Sequence, residues 1–227
     1  MEPIKENLNR IRATLPAGVR LVAVSKTKPA EAVREAYDAG QRIFGENRPQ
    51  EMAAKHAVLP EDIEWHLIGQ LQEKNVKYIA PFVTMIHSVD SLKLLLKIER
   101  EAAKHGRRID CLLEFHIAEE ATKSGLTVEE AEALLEDEAC RSAAHVRIVG
   151  VMGIATHTDN REQVRGEFRR LQGIFTRLRE RYFPDEPAFR EVSMGMSGDY
   201  PIAVEEGATL VRVGSSIFGE RTYPQEK

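Results

Sequence analysis

A short apolar run followed by a helical pattern recurs eight times along this chain, and this repetition limits the folds open to it. The runs are short, apolar and rich in β-branched residues, as in strands that are buried on both faces. Strict alternation of strand and helix predicts an α/β protein with a parallel sheet and right-handed crossovers. The predicted strands span residues 21–25, 42–47, 64–69, 84–89, 110–117, 147–153, 189–194 and 209–214.

Eight such units predict a single closed (β/α)8 barrel, the TIM barrel, with an extra N-terminal helix over 3–14. A doubly wound open sheet is the alternative. The turn after the first strand lacks the Gly-x-Gly-x-x-Gly pattern of dinucleotide-binding folds. Asp90 is predicted to cap the helix that ends near Lys104, and Thr127 with Glu130 forms a capping-box pattern. The other predicted helices span 29–39, 49–56, 73–79, 161–181 and 200–206, with a last turn over 215–219.

Composition indicates one domain, residues 1–227, because no linker or change of composition divides the chain. The net charge of −4 gives no support for non-specific nucleic-acid binding, which needs a basic face. No apolar run approaches the roughly 20 residues of a membrane span, and the N-terminus has no apolar leader. Cys111 and Cys140 have no metal-ligand spacing. We therefore expect a cytoplasmic protein that binds neither membranes nor nucleic acid.

Lys26 ends the first apolar run and is the first candidate for chemistry. In a strand alternate residues share a face, so Val22, Val24 and Lys26 point the same way. If that way is inward, Lys26 places an amine at the carboxyl end of the barrel, where such folds carry their sites. An amine beside apolar walls has a lowered pKa and forms Schiff bases readily. The alternative is a lysine that ends a strand and faces water.

The loops after the seventh and eighth predicted strands form the second candidate. Residues 192–200 and 211–219 are rich in glycine and serine. In these barrels the two loops commonly bind phosphate, since glycine lets the backbone approach and hydroxyl and N–H groups donate. Ordinary turn chemistry is the alternative for each loop taken alone.

Arg212 and four histidines complete the set of unusual residues. Arg212 lies in the apolar run of the eighth strand, where a charge needs a partner such as Glu114 or Glu46. The histidines fall near predicted strand ends, but no His-x-His pair exists, and no metal site is predicted. They are His66, His87, His116 and His157.

Several of these stretches together resemble the YggS/PROSC family of pyridoxal phosphate homeostasis proteins. The resemblance covers essentially the whole chain and keeps the motifs in order. It is carried by Ala23-Val24-Ser25-Lys26-Thr27, Phe44-Gly45-Glu46-Asn47, 65–74, His87-Ser88-Val89, Lys123-Ser124-Gly125, 193–197 and 212–219. It implies a fold-type III barrel like the N-terminal domain of alanine racemase.

The resemblance also implies a binding site for the cofactor pyridoxal 5′-phosphate (PLP). Lys26 matches the lysine that holds PLP as an internal aldimine, and Arg212 the arginine that faces the pyridine nitrogen. A fixed cation there keeps that nitrogen unprotonated. Asn47 and His66 match residues on the ring side of the pocket. The phosphate region matches Ser193, Ser197, Gly214 and Ser215, with Gly195 as a backbone or wall contact.

Two stretches depart from the family pattern. Many members have Val-Asn-Ile where this chain has Phe115-His116-Ile117, which removes a pocket contact from the usual asparagine. Residues 152–157 also differ from many members.

The function implied is PLP binding for intracellular PLP homeostasis, without a catalytic residue. A racemase needs an acid or base on each face of the substrate carbon, and the sequence offers no evident second group beside Lys26. PLP-dependent apoenzymes are the implied partners. The chain ends after the eighth unit, without the second domain of alanine racemase, which implies a monomer. The alternatives are a PLP-dependent amino-acid racemase, a Schiff-base aldolase without cofactor, and a protein-interaction scaffold.

Overall fold

Eight parallel strands close into a barrel in the computed structural model, which describes residues 3–119 and 124–220. The barrel is closed by β1 and β8, which pair from Arg20 opposite Leu210 to Ala23 opposite Val213. The predicted barrel is therefore confirmed. The strands are β1 Arg20–Val24, β2 Ile43–Glu46, β3 Glu64–Leu67, β4 Met85–Val89, β5 Ile109–Phe115, β6 Val146–Gly153, β7 Glu191–Ser193 and β8 Leu210–Val213.

Helices connect the strands and form the outer layer. A 3-10 helix, Glu73–Tyr78, stands between β3 and β4, where the sequence predicted a helix without specifying its type. The α-helices are α1 Ile4–Thr14, α2 Ala30–Asp38, α3 Pro49–His56, α4 Leu92–Lys104, α5 Val128–Glu136, α6 Glu138–Arg141, α7 Arg161–Tyr182, α8 Tyr200–Glu205 and α9 Ser215–Phe218.

Side-chain alternation along β1 divides the core into two layers. Leu21 and Ala23 pack in the layer between strands and helices. Val22 packs inside the barrel, in a cluster with Met85, Leu112, Val149, Met152 and Leu210. Val24 lines a cavity at the carboxyl end of the strands, together with Lys26. Lys26 therefore faces inward, which is the first of the two alternatives that the sequence left open.

Helix starts follow the local sequence, with one correction. Thr127 and Glu130 form the predicted capping box, in which the Thr127 hydroxyl accepts from the Glu130 N–H. Asp90 does not cap α4, because Ser91 occupies that position and accepts from the Leu94 N–H. Asp90 instead accepts a hydrogen bond from the Ser91 hydroxyl at 3.3 Å. No helix in the described residues combines the length and apolar character that crossing a bilayer requires.

Candidate functional site

A cavity of about 530 Å³ opens at the carboxyl end of the barrel strands. Six of the nine predicted cofactor-binding residues line it: one belongs to β8, and the other five follow β1, β2, β7 or β8. Three of them bring a charged group or an amide to the cavity, and the other three bring serine hydroxyls or glycine backbone. They are Lys26, Asn47, Ser197, Arg212, Gly214 and Ser215.

A tight turn presents Lys26 to the cavity. Thr27 adopts a left-handed backbone conformation, with φ of 65°. The Lys28 N–H donates to the Ser25 carbonyl at 3.0 Å, and the Thr27 N–H donates to Glu51 at 2.6 Å. Ser25 is fully buried while Lys26 is half-buried. The turn therefore anchors the backbone on both sides of a lysine that reaches the cavity.

A buried ion pair supports this turn from below. Lys55 Nζ donates to Glu46 Oε1 at 2.7 Å and to the Ser25 carbonyl at 2.8 Å. It also donates to Glu51 at 2.8 Å, and the Ser25 hydroxyl donates to Glu46 at 2.6 Å. Burial raises the pKa of Glu46 to about 7, although the Lys55 ammonium lowers it. Sequence reasoning missed Lys55; the signal was a lysine four residues after Glu51 on a helix that packs beside the site.

Hydrogen bonds from two backbone N–H groups join the loop after β7 to the end of β8. The Arg212 N–H donates to the Gly195 carbonyl at 2.9 Å, and the Gly214 N–H donates to the Ser197 hydroxyl at 3.2 Å. Gly195 has φ of 89°, and a Cβ atom there would lie 2.6 Å from the Ala203 side chain. Gly195 thus shapes the loop from behind, and Ser197 and Gly214 form the cavity wall.

Arg212 lies at the base of the cavity and is only 4% exposed. Its Nη1 donates to the Ser193 hydroxyl at 2.6 Å, and its Nη2 donates to the Gly153 carbonyl at 2.9 Å. Burial lowers the pKa of Arg212 to about 10, while the carboxylates of Asp199 and Glu114 oppose that shift. The side chain therefore remains a cation at neutral pH. Of the two partners considered from the sequence, Glu46 pairs with Lys55 instead.

His66 and Ser193 lie deeper in the barrel than the other predicted site residues. Both are fully buried, and neither is part of the cavity wall. His66 is in the middle of β3, and Ile68, two residues on, is the member of that face that reaches the cavity. Ser193 is the last residue of β7, and its hydroxyl accepts a hydrogen bond from Arg212. Ser197 lies in the loop that follows. Alternation determines the face of a strand residue but not its depth.

The loop after β6 forms part of the cavity wall, although in the sequence it stands out only by His157 and by its departure from the family pattern. Thr156 is anchored to α7, since its N–H and its hydroxyl donate to Glu167 at 2.6 and 2.7 Å. The next residue, His157, is exposed and lines the cavity. The available signal was position, because this loop follows a strand at the carboxyl end of the barrel.

His116, noted from the sequence, lies outside this cavity, as does Tyr200 at the start of α8. His116 contacts the Ala118 carbonyl, and Tyr200 contacts Thr14 through its hydroxyl. No tyrosine in the described part of the chain lines the cavity. Within residues 3–119 and 124–220, no three His, Cys, Asp or Glu side chains are grouped to hold a metal ion. Lys123, which is part of the family resemblance, lies outside the described residues.

Solved structures share this barrel. PipY of Synechococcus elongatus, described as having PLP bound, is 39% identical with a TM-score of 0.87. The match covers 95% of this chain and 100% of PipY. An alanine racemase of Clostridium difficile has a TM-score of 0.72 at 13% identity, over 100% of this chain and 58% of that one. The second likeness shows a common fold alone.

Sequence relatives identify the family. Residues 1–222 match the family described as "Alanine racemase, N-terminal domain". The pyridoxal phosphate homeostasis protein of Aquifex aeolicus is 40% identical over 205 residues, which are 90% of this chain and 88% of that protein. The protein of the same name in Pseudomonas aeruginosa is 37% identical, with 98% of each chain covered. This chain therefore belongs to the family of pyridoxal phosphate homeostasis proteins, whose barrel is that of the alanine racemase N-terminal domain.

Proposed function

We propose that this chain binds PLP in the cavity, covalently through Lys26, and serves intracellular PLP homeostasis as a carrier. The observation that carries this proposal is the convergence of Lys26, Arg212 and the two serine- and glycine-rich loops on one cavity. The names of its relatives and the PLP-bound PipY structure support the same function.

The residues present fit the chemical groups of PLP. Bound PLP supplies an aldehyde that reacts reversibly with amines and a ring that withdraws electrons. The Ser197 and Ser215 hydroxyls offer donors to the phosphate, and a Cβ atom on Gly214 would lie 3.0 Å from the Val24 carbonyl oxygen. Glycine at that position therefore lets the loop after β8 lie close to the end of β1.

Asn47 and Arg212 fit the ring. Asn47 Oδ1 is buried with no hydrogen-bond partner among the described residues, and Asn47 lines the cavity. That acceptor suits a hydroxyl donor on a ligand. The Arg212 cation disfavours a proton on a facing pyridine nitrogen. Because Ser193 and His66 are buried below the cavity, we assign them no direct contact with the cofactor.

Reductive trapping with mass spectrometry tests the covalent assignment. Borohydride reduction of the purified protein is expected to leave a pyridoxyl group on Lys26, and Lys26→Ala is expected to lose it. Lys28 also lines the cavity, and its Nζ donates to the Glu220 carbonyl at 2.9 Å. Lys28→Ala is therefore the matched control and keeps the adduct. An adduct on Lys28, or one retained by Lys26→Ala, overturns the assignment.

An amino-acid racemase is the second candidate, favoured by His157. This exposed imidazole on the cavity wall offers the second acid or base that racemisation requires. Incubation with single L-amino acids in deuterated water separates the two functions. A carrier gives no α-proton exchange at enzyme-like turnover. Rapid exchange that is lost in both Lys26→Ala and His157→Asn establishes the racemase instead.

Transfer of PLP to apoenzymes is the finer part of the carrier proposal. The half-buried Lys26 and the exposed Met196 both line the cavity. Loaded protein mixed with a PLP-dependent apoenzyme is expected to restore that enzyme faster than the same protein after borohydride reduction. Equal recovery in both mixtures contradicts direct supply.

We further propose a monomer in the cytoplasm. In the described part of the chain only Val58, Tyr78 and Met196 are exposed large hydrophobic residues, so no broad apolar patch invites a partner copy. Both free thiols suit a reducing compartment. Light scattering is expected to give the chain mass of 25.6 kDa, and a dimer mass contradicts the proposal. Cell fractionation tests the compartment.

A further inference from the structure

Below the cavity, a chain of hydrogen bonds runs through the middle of the barrel. Arg212 Nη1 contacts the Ser193 hydroxyl at 2.6 Å, and that hydroxyl contacts His87 Nδ1 at 2.9 Å. His87 Nε2 in turn contacts His66 Nδ1 at 2.9 Å. None of the four side chains is more than 4% exposed. They link β8, β7, β4 and β3 across the barrel axis.

Because arginine can only donate hydrogen bonds, it determines which group donates and which accepts at each of these contacts. A guanidinium only donates, so the Ser193 oxygen accepts from Arg212. The Ser193 proton then has His87 Nδ1 as its partner, and that nitrogen must accept. A neutral imidazole that accepts at Nδ1 carries its proton on Nε2. His87 therefore donates to His66 Nδ1, and His66 also carries its proton on Nε2.

The alternatives are costly. In the reverse direction, both Arg212 and His87 donate to Ser193, and the buried hydroxyl proton has no partner along the chain. A charged imidazole is disfavoured as well. Burial lowers the pKa of His66 to about 3, and burial with the nearby His66 and Arg212 lowers the pKa of His87.

The last donor of the chain lies at the opposite end of the barrel. His66 Nε2 is buried and has no partner among the described residues. His66 lines a second cavity, of about 300 Å³, at the amino ends of the strands. The arginines of that cavity pair with carboxylates, Arg20 with Glu191 at 2.8 Å and Arg147 with Asp110 at 2.8 Å, and the Glu64 carboxylate also lines it. A water molecule, which accepts and donates, suits this polar space.

We propose that Ser193 and His87 are positioning residues for Arg212. The guanidinium in turn orders both histidines as neutral Nε2–H tautomers, and a water molecule in the second cavity accepts from the His66 Nε2–H. The orientation of the cation at the base of the cofactor cavity thus depends on groups that never touch the cavity. Only the statement that Arg212 faces PLP rests on the proposed function.

Nitrogen-15 NMR of the histidine rings in the cofactor-free protein tests this proposal independently of PLP binding. At neutral pH both rings are expected to show Nε2–H and unprotonated Nδ1, with a water cross-peak to the His66 Nε2–H. His66→Gln and His87→Gln assign the resonances. A proton on Nδ1 of either ring, a charged ring, or a missing water cross-peak overturns the proposal.

Variants of Ser193 test the positioning role. Ser193→Ala is expected to shift His87 to a mixture of tautomers, while Ser193→Thr keeps the hydroxyl and the wild-type pattern. Ser88→Ala is the matched control. Ser88 is a buried serine of β4 that donates to the Gly69 carbonyl and takes no part in the hydrogen bonds between Arg212 and His66. In the PLP-loaded protein, Ser193→Ala is expected to shift the cofactor absorbance and Ser88→Ala is not. Identical His87 resonances in Ser193→Ala and wild type overturn the role of Ser193.

Discussion

At the residue scale, two buried cations stabilise the walls of the cavity, and each donates more than one hydrogen bond to oxygen acceptors. Lys55 has three oxygen partners below the Lys26 turn, and Arg212 has a hydroxyl and a carbonyl. Burying a charge is costly, and the cost is offset only where its hydrogen bonds are satisfied. Removing one partner of such a group leaves an uncompensated charge inside the protein. These residues therefore couple the stability of the barrel to the shape of the site.

Glu46 gives a pH prediction at the same scale. Its folded pKa, about 7, lies above its ordinary value of 4.5, so the folded state binds more protons between these pH values. The contribution of this group to stability therefore falls as pH rises through that window. Its slope is at most about 1.4 kcal/mol per pH unit. Glu46→Gln is expected to remove this decline in the free energy of unfolding, measured with urea at several pH values.

The exposed Glu129 supplies the control for that experiment. It belongs to α5, far in sequence from the Lys26 turn. Glu129→Gln is expected to keep the wild-type pH dependence. If Glu46→Gln has the same slope as wild type between pH 4.5 and 7, then Glu46 titrates near its ordinary pKa in the folded protein.

At the element scale, a bulge in β6 aims the end of the strand at the site. The β5–β6 register shifts so that Cys111 lies opposite Ile148 and Leu112 opposite Gly150. Val149 and Met152 both face the barrel interior, three residues apart, which uninterrupted alternation does not allow. The extra residue reverses the faces of the rest of the strand. Beyond the bulge, the Gly153 carbonyl accepts from Arg212.

Gly150 makes this bulge possible. Its φ is 156°, and a Cβ atom there would lie 1.8 Å from the Glu191 carbonyl oxygen of β7. Gly150→Ala is expected to lower the free energy of unfolding by at least about 2 kcal/mol, because a backbone carbonyl has to move. Urea unfolding monitored by circular dichroism measures this change.

Gly166 of α7 is the matched control for Gly150. A Cβ atom there has no atom within 4 Å, and alanine favours a helix over glycine. Gly166→Ala is expected to raise the free energy of unfolding by up to about 1 kcal/mol. Similar small effects of the two substitutions contradict the role given to Gly150.

At the scale of the whole molecule, barrel closure makes the strands interdependent. Each strand pairs with two neighbours, so the sheet has no edge to separate first. We expect residues 1–227 to unfold as one domain in a single calorimetric transition. Its enthalpy is expected to be roughly 160 kcal/mol near 60 °C, with equal calorimetric and van't Hoff values. Two resolved transitions contradict a single domain.

The sequence alone determined the architecture and the family. Both are set by local features: strand and helix patterns repeat eight times, α3 begins and ends where its prediction placed it, and Thr127 with Glu130 starts α5. The motifs that carry the family resemblance are also contiguous stretches. Local pattern suffices for these because hydrophobic period and turn chemistry act over a few residues.

Only the tertiary structure decided the depth and the partners of the buried residues. His87 lies 106 residues before Ser193, and Lys55 reaches back 30 residues to the Ser25 carbonyl. The bulge at Gly150 reversed the faces of β6, and His66 lies below the cavity although it shares a face with residues that line it. The physical reason is that alternation sets the face a side chain occupies, whereas its distance from the barrel mouth and its partners depend on closure and register across strands far apart in the chain.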